Sequence, residues 1–390
     1  MAPPPLPELM EDSVGEILLR VPPDEPAHLF RAALVCKTWF RVLRDPGFLR
    51  RYREFHRAPP LLGILHPAGK AYRLAPTTSA AFALPAFLAS CKRWWALDCR
   101  HGRVLLYSFG PVGISVWDPV TGDTHPLPAP PYPYVGHNAA VLCASDGCHH
   151  LDCHGKHFRV VFVGGTLDST TTKVSVYTSA TGEWSAPASI ELSPYSALLA
   201  VPSILAGGSL FFNVANGILK YDLEGRQPLS VIKPPPHFQD MGVYIGDAML
   251  MIAEDGELGV ANVQGRSIHI WSRRAACSGI AGWVQSRVIE LDNLIPMAID
   301  DLSVQLSVVG FTEATGTLFI GTNAGIFASE VKSGQVRKVA DSGEYYVIFP
   351  FIMLLPDCNY ECGCSDPSIS LSFLLWPSCR ADTFSNSQLM

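Results

Sequence analysis

Cys143, Cys148, His149, His150, Cys153, His154 and His157 crowd the ligand-forming side chains of this chain into one short stretch. Zinc takes four Cys or His side chains converging as a tetrahedron. Cys148 with Cys153, and His150 with His154 or His157, offer four such groups. The spacings match no standard finger, however, and the segment runs straight into the strand-like Phe158-Arg-Val-Val-Phe-Val163. An ordinary loop without a metal is the expectation, and Cys358, Cys362 and Cys364 make a weaker case still. Catalytic signatures are thin. No G-x-S-x-G, P-loop, dinucleotide fingerprint or HExxH stands in a recognisable context, so no cofactor is expected. Asp300-Asp301 and Glu254-Asp255 are adjacent carboxylates, but neighbours along a strand point to opposite faces and cannot easily pair as acid and base. Trp94, Trp95, Trp117 and Trp184 can line a ligand cup, yet aromatic residues on short strands more often pack between sheets.

The elements that hold such residues differ along the chain. Near the N-terminus, Val14, Ile17, Leu18 and Val21 repeat at i, i+3, i+4 and i+7, which predicts an amphipathic helix. Ser13-Val-Gly-Glu16 has the form of a capping box, and Asp12 lies near the positive end of the dipole. Pro22-Pro-Asp-Glu-Pro26 stops that helix, and Asp24 with Pro26 starts the next. In the run from Leu29 to Trp39, Leu29, Ala32, Ala33 and Cys36 form one stripe with Phe30 and Leu34 beside it. A stripe wider than the usual 100° suggests a helix contacted on two sides. A third segment from Lys37 to Arg44 turns Trp39, Val42 and Leu43 inward. Asp45-Pro-Gly47 breaks it, and a basic helix from Phe48 to Arg57 follows. So small a module with so much apolar surface reads as an adaptor that docks on a partner.

Leu6-Pro7, Ile17-Leu18-Leu19, Leu29, Leu34-Val-Cys-Lys37, Trp39, Leu43, Asp45-Pro46 and Phe48 together resemble an F-box, matched from Leu6 to about Phe55. With His56-Arg-Ala-Pro-Pro-Leu-Leu-Gly63 and the repeats downstream, the chain resembles the large plant group of F-box proteins with a C-terminal β-propeller-like domain, especially those of grasses. The resemblance implies that Leu6, Pro7, Ile17, Leu18, Leu29, Val35 and Trp39 lie at or beneath the contact with a Skp-type adaptor, and through it a cullin. Gly15 departs from the usual helix former at its position and costs about 0.5–1 kcal/mol. Thr38 and Phe40 stand where basic or polar residues are commoner. Neither change removes an anchor.

Bulk properties narrow the classes. The chain has 390 residues, 48% of them hydrophobic and 16% charged, enough to bury a substantial core and unlike a disordered chain. Its net charge of −6 argues against a general nucleic-acid binder. The basic cluster Arg50-Arg-Tyr-Arg53 with His56-Arg57 reads as a solvated helix face. The start, Met-Ala-Pro-Pro-Pro, is not that of a signal peptide. The uncharged stretch from Ser196 to Leu219 holds Pro202, Gly207-Gly208 and Asn213-Val-Ala-Asn-Gly217, so it reads as strand, turn and strand rather than a membrane span. Eleven cysteines, an odd number, fit reduced thiols in the cytoplasm or nucleus.

Beyond residue 61 the texture turns to short apolar runs punctuated by Gly and Pro. X-Gly turns at Thr121-Gly122, Thr181-Gly182, Glu224-Gly225, Gln264-Gly265 and Ser333-Gly334 each follow an alternating strand: Ile114–Trp117, Lys173–Tyr177, Gly217–Tyr221, Glu257–Val260 and Gly325–Ala328. Gly182, Gly225 and Gly265 stand about 40 residues apart, the period of a four-stranded blade. Longer intervals on either side imply inserted loops, or a degenerate blade between Trp283 and Gly310. The expected fold is therefore α+β and multidomain: a small N-terminal helical F-box over residues 1–57, an all-β, propeller-like repeat domain of five to seven blades over 58–356, and a divergent, poorly ordered tail over 357–390 that need not complete the first blade. A β-sandwich is the rival for the repeat region. Pro128–Pro133 and Lys233–Pro236 are expected as connectors between strands.

The function expected from this reading is that of a non-catalytic interaction protein. It would be the substrate-recognition subunit of an SCF-type ubiquitin ligase, bridging a Skp-type adaptor and an unknown protein target, with neither nucleic acid nor membrane as a partner. One alternative is an F-box-derived interaction protein without ligase function. Another is a propeller enzyme or sugar-binding protein, which would need converging carboxylates or a metal at the central channel.

Overall fold

A computed structural model describes residues 10–352 apart from 24–25, 34, 57–59, 70, 78–93, 110–111, 120–121, 146–147, 149–156, 166–170, 193–197, 225–227, 237, 239–247, 276–280, 292–305, 342 and 344. Leu6, Pro7, Asp300, Asp301 and the segment 357–390 lie outside the described residues.

Four helices come first: α1 (Glu11–Leu19), α2 (Pro26–Ala33), α3 (Lys37–Arg44) and α4 (Pro46–His56). Helix α1 starts at Met10, whose carbonyl accepts from Val14 N–H. That places Ser13 inside the first turn, so the expected capping box does not form. Glu16 instead reaches Arg20 at 3.4 Å and Arg51 of α4. Glu11 and Asp12 occupy the first turn, where the helix dipole favours negative charge.

The run from Leu29 to Trp39 is not one stripe. Helix α2 ends at Ala33, and Cys36 is extended (φ −162°, ψ 167°) and exposed before α3 begins. The break lets the chain reverse, so that Leu43 of α3 can meet Leu29 of α2 over Val14 and Leu18. Asp45 then joins α3 to α4 directly. Its carboxylate accepts from Phe48 N–H at 2.7 Å and its carbonyl from Leu49 N–H. With Asp45 capping, Pro46 takes the first helical position, which needs no N–H, and α4 begins two residues before the expected Phe48. Tyr52 completes the small core and donates to the Val21 carbonyl at 2.7 Å.

The rest is a ring of six sheets, every strand pair antiparallel. The first blade holds β1 (Leu61–Ala68) and β2 (Ala71–Pro76). The second holds β3 (Trp94–Arg100), β4 (Arg103–Phe109), β5 (Val112–Trp117) and β6 (Thr124–Leu127). The third holds β7 (Gly136–Cys143), β8 (Phe158–Gly165) and β9 (Thr171–Thr178), with β10 (Glu183–Trp184) and β11 (Ala188–Glu191) both on β9. The fourth runs β12 (Ile204–Ala206), β13 (Ser209–Val214), β14 (Gly217–Asp222) and β15 (Leu229–Ile232). The fifth runs β16 (Met249–Ile252), β17 (Leu258–Gln264), β18 (Ser267–Ala275) and β19 (Ala281–Glu290). The sixth runs β20 (Ser307–Thr312), β21 (Thr317–Thr322), β22 (Gly325–Glu330) and β23 (Val336–Ala340).

The last strand, β24 (Phe349–Ile352), returns to the first blade and pairs with β1, Leu61 opposite Ile352 and Leu65 opposite Phe349. The ring thus closes upstream of residue 357. Closure leaves no long sheet edge, and it rules out the rival sandwich. Within the stretch Ser196–Leu219, β12, the turn at Gly207-Gly208 and β13 are indeed strand, turn and strand, while residues 196–197 lie outside the described residues. Among the described residues no helix is long and apolar enough to cross a membrane.

Apolar side chains fill the spaces between blades. One cluster joins the first and second blades around Trp117, Leu106 and Phe351, another the second and third around Leu105 and Phe162, and a third the third and fourth around Phe212. The remaining clusters join the fourth through sixth blades and close the sixth onto the first through Ile64 and Phe319. Each such side chain, fully buried, contributes roughly 1.5–3 kcal/mol.

The turn pattern needs one correction. Gly122, Gly182 and Gly334, with φ of 77°, 75° and 69°, each join the third strand of a blade to the fourth. Gly265, with φ 60°, joins the second strand of the fifth blade to the third. It therefore stands one hairpin out of phase with the others. Gly225 lies outside the described residues; the slip at Gly265, together with the lengths of chain between β7 and β8 and between β19 and β20, accounts for the uneven spacing within six blades.

Strand direction gives the ring two faces. The upper face carries the connectors between blades and the turns from second to third strands. The lower face carries the turns from first to second and from third to fourth strands. Leu61, where the chain arrives from α4, and Ile352 are paired at the lower face.

Candidate functional site

The helical module presents apolar side chains that its own core does not use. Leu18 and Leu29 are 1% and 4% exposed and pack with Val14, Leu43 and Tyr52. Ile17, on the opposite side of α1, is 47% exposed, and Val35, at the turn between α2 and α3, is 63% exposed. Trp39 is half-buried against the core. The predicted contact residues therefore divide. Ile17 and Val35 face solvent, Trp39 sits at the margin, and Leu18 and Leu29 lie beneath. Gly15 is buried in α1, and a Cβ there would meet only Val42 at 3.9 Å, so its cost is one of helix propensity rather than of packing. In the basic cluster Arg51 pairs with Glu16 and Arg50 is exposed.

On the propeller, the two faces differ in chemistry. Among the described residues of the ring, the exposed large apolar side chains are Trp95, Phe109, Val112, Val135 and Tyr346 on the upper face, with Val231, Val284 and Val288 on outer strands. Trp95 and Phe109 meet edge to face with ring centroids 4.7 Å apart. The contact continues through Tyr107 to His137 of the third blade, at 4.9 and 4.1 Å, and from His137 to Tyr134 at 5.3 Å. Burial lowers His137 to about 4, so the ring is neutral at neutral pH.

At the lower part of the channel lies a buried ionic clamp. Arg100, at the end of β3, donates to Asp98 Oδ2 at 2.7 Å and grips Glu313 with two bonds of 3.1 and 2.7 Å. It also donates to the Ser203 carbonyl at 2.9 Å. Asp98 accepts from Val141 N–H of β7 at 2.8 Å and from Cys99 N–H at 2.9 Å, and Glu313 from Leu205 N–H at 2.8 Å. Arg100 and its carboxylates thus tie four blades: the guanidinium joins the second, fourth and sixth, and Asp98 adds the third through Val141. Burial pushes Asp98 up to about 6 against the pull of Arg100 and the two amides. Burial also disfavours the Arg100 cation, but Asp98 and Glu313 outweigh it and raise its pKa.

These are the converging carboxylates that sequence reasoning missed. They face a cation and three amide donors, so the arrangement suits a structural clamp better than acid–base chemistry. Glu313 stands 213 residues from Arg100 along the chain. The one local signal was Asp98 and Arg100 at i and i+2 in an otherwise apolar strand, which puts both charges on one face.

The other predicted groups fall apart. Glu254 pairs with Arg287 at 3.1 Å, while Asp255 accepts from Ser272 at 2.9 Å and Arg274 at 3.2 Å. Cys143 is buried at the end of β7, and its N–H donates to His101 Nδ1. Residues 149–156 lie outside the described residues, and among the described ones no group of three or more His, Cys, Asp or Glu is placed to hold a metal. Trp117 is fully buried between blades, as the packing reading predicts, whereas Trp95 is not. Trp184 of β10 donates its indole N–H to the Pro128 carbonyl at 3.0 Å, and Trp283 of β19 does the same to Lys233 at 2.8 Å. Pro128–Pro133 and Lys233–Pro236 are the connectors entering the third and fifth blades.

Two family models agree with this architecture. The F-box domain matches residues 6–51, and the beta-propeller of the F-box protein AT5G49610-like family matches residues 95–358. F-box protein At5g03970 of Arabidopsis thaliana is 24% identical over 269 residues, which cover 63% of this chain and 61% of that protein. The chain thus spans about three fifths of this relative's length. Among solved structures, the WD40 domain of SCAP from fission yeast is similar at 12% identity and a TM-score of 0.37, over 65% of this chain and 56% of that one. Kluyveromyces lactis Hsv2 is similar at 9% identity and a TM-score of 0.36, over 66% and 63%. The chain belongs to the AT5G49610-like beta-propeller family of F-box proteins, an F-box module joined to a six-bladed propeller.

Proposed function

We propose that the chain is the substrate-recognition subunit of an SCF-type ubiquitin ligase. Residues 1–57 bind a Skp-type adaptor and through it a cullin, and residues 58–356 hold a protein target. The observation that carries this reading is the placement of apolar surface. The F-box joins the ring at its lower face, while the exposed apolar side chains of the propeller lie on the upper face and outer strands. A receptor so built leaves its target surface clear of the adaptor. It performs no bond chemistry, and raises the concentration of target lysines near the charged enzyme. Such work is done in the cytoplasm or nucleus.

Among the adaptor-binding residues, Ile17 and Val35 make the contact, with Trp39 at its margin and Leu6 and Pro7 preceding it in the chain. Leu18 and Leu29 position them from below. A pull-down with a recombinant Skp-type adaptor tests the reading, using the full chain and an Ile17→Asp/Val35→Asp variant. Both positions are exposed, so the variant should melt as the wild type does and bind the adaptor at least about 100-fold more weakly. A folded wild-type chain that does not bind would overturn the proposal.

A further inference from the structure

The rim shared by the second and third blades on the upper face has a composition that narrows what it can take. Trp95, Phe109, Val112 and Val135 are exposed there, backed by Tyr134 and His137, and none of these side chains carries a charge at neutral pH. Against these side chains a segment bearing Lys, Arg, Asp or Glu would lose hydration with no opposite charge among them to meet. An uncharged occupant is the complementary one.

The same molecule shows how its aromatic side chains take such a segment. The proline-rich connector Pro128–Pro133 crosses the third blade with Trp184 donating to its first carbonyl, and Tyr132 buries its ring while donating to the Phe162 carbonyl at 3.0 Å. Lys233–Pro236 repeats the arrangement under Trp283 on the fifth blade. In both places an indole N–H is given to the first carbonyl of a segment poor in N–H donors. The Trp95–Phe109 rim likewise presents an indole, beside a second aromatic ring, and the two side chains are 43% and 41% exposed.

We propose that the Trp95–Phe109 rim is a docking site for an uncharged, proline-rich extended segment of the target protein. Proline-rich chain is preformed and pays little ordering entropy, and aromatic ridges are the surface that suits it. This inference rests on the receptor reading above and adds the class of segment recognised.

The test uses the full chain and a fluorescein-labelled decaproline peptide, titrated by fluorescence polarisation into the millimolar range beside a Gly-Ser decapeptide. Saturable binding of decaproline, absent for Gly-Ser, is expected. It should weaken at least tenfold in Trp95→Ala/Phe109→Ala and persist in Trp95→Tyr. Adaptor binding is measured on the same samples and should not change, so loss of the receptor reading and loss of this one are read separately. Failure of the folded wild type to bind decaproline, or binding indifferent to the double substitution, would overturn the proposal. So would sedimentation showing that the rim joins two copies of the chain and that the double variant separates them.

Discussion

The two faces of the propeller solve opposite problems with the same strands. At the lower part of the channel, charge is buried and fully answered: Arg100 meets Asp98 and Glu313, and amides of three further residues complete the carboxylates. At the upper face, apolar side chains are exposed, and Trp95 meets Phe109 with both rings still open to solvent. The lesson is about where cost is tolerated. A buried ion pair is weak evidence of stabilisation in itself, but one that spans four blades fixes how they meet. An exposed aromatic rim stabilises the ring little, and exposed apolar patches mark surfaces used for binding.

That contrast can be broken first at the clamp. Arg100→Met leaves Asp98 and Glu313 without their cation, and chemical denaturation should show a loss of about 3–5 kcal/mol. A loss below about 1 kcal/mol would mean that the clamp does not hold the ring.

A smaller effect is the pH dependence of the same site. Asp98 titrates at about 6 in the folded chain against 3.8 for an unperturbed carboxyl. The folded state therefore binds the proton more tightly, a contribution complete below about pH 4 and lost as pH rises to about 6. Asp98→Asn should remove a fall on the order of 2 kcal/mol across that window. Identical pH profiles for variant and wild type would refute the assignment.

The smallest effect is expected at the upper face. Trp95→Ala/Phe109→Ala should change stability by no more than about 0.5–1 kcal/mol, since both rings are exposed. A loss as large as that of Arg100→Met would make the rim part of the core and erase the contrast.

What the sequence shows and hides follows from distance along the chain. The helical module is written in local periodicity and in fixed spacings from Leu6 to Phe48, so its helices were legible. Their ends were not, because Ser13 and Glu16 make a capping pattern that Met10 pre-empts by starting α1 earlier. The hairpins at Gly122, Gly182, Gly265 and Gly334, all at positive φ, were legible as X-Gly turns, whereas those at Gly102, Gly256 and Gly316, also at positive φ, were not singled out. The number of blades was left open because Gly265 marks a different hairpin from Gly122, Gly182 and Gly334, and sequence spacing alone treats them alike. Closure by β24, and the meeting of Arg100 with Glu313, are contacts between distant parts of the chain. Only the path of the backbone brings them together. Exposure was half-legible: periodicity placed Ile17 with Val14 and Leu18, yet it is exposed while they are buried.

The central claim is that adaptor and target engage separate parts of the molecule. Site-specific photocrosslinking tests it most directly, with a photoreactive side chain placed at Ile17 in one sample of the full chain and at Phe109 in another, each mixed with recombinant Skp-type adaptor. The account predicts adaptor crosslinks from position 17 and none from position 109. Crosslinks from position 109, or none from position 17 in a folded chain, would contradict it.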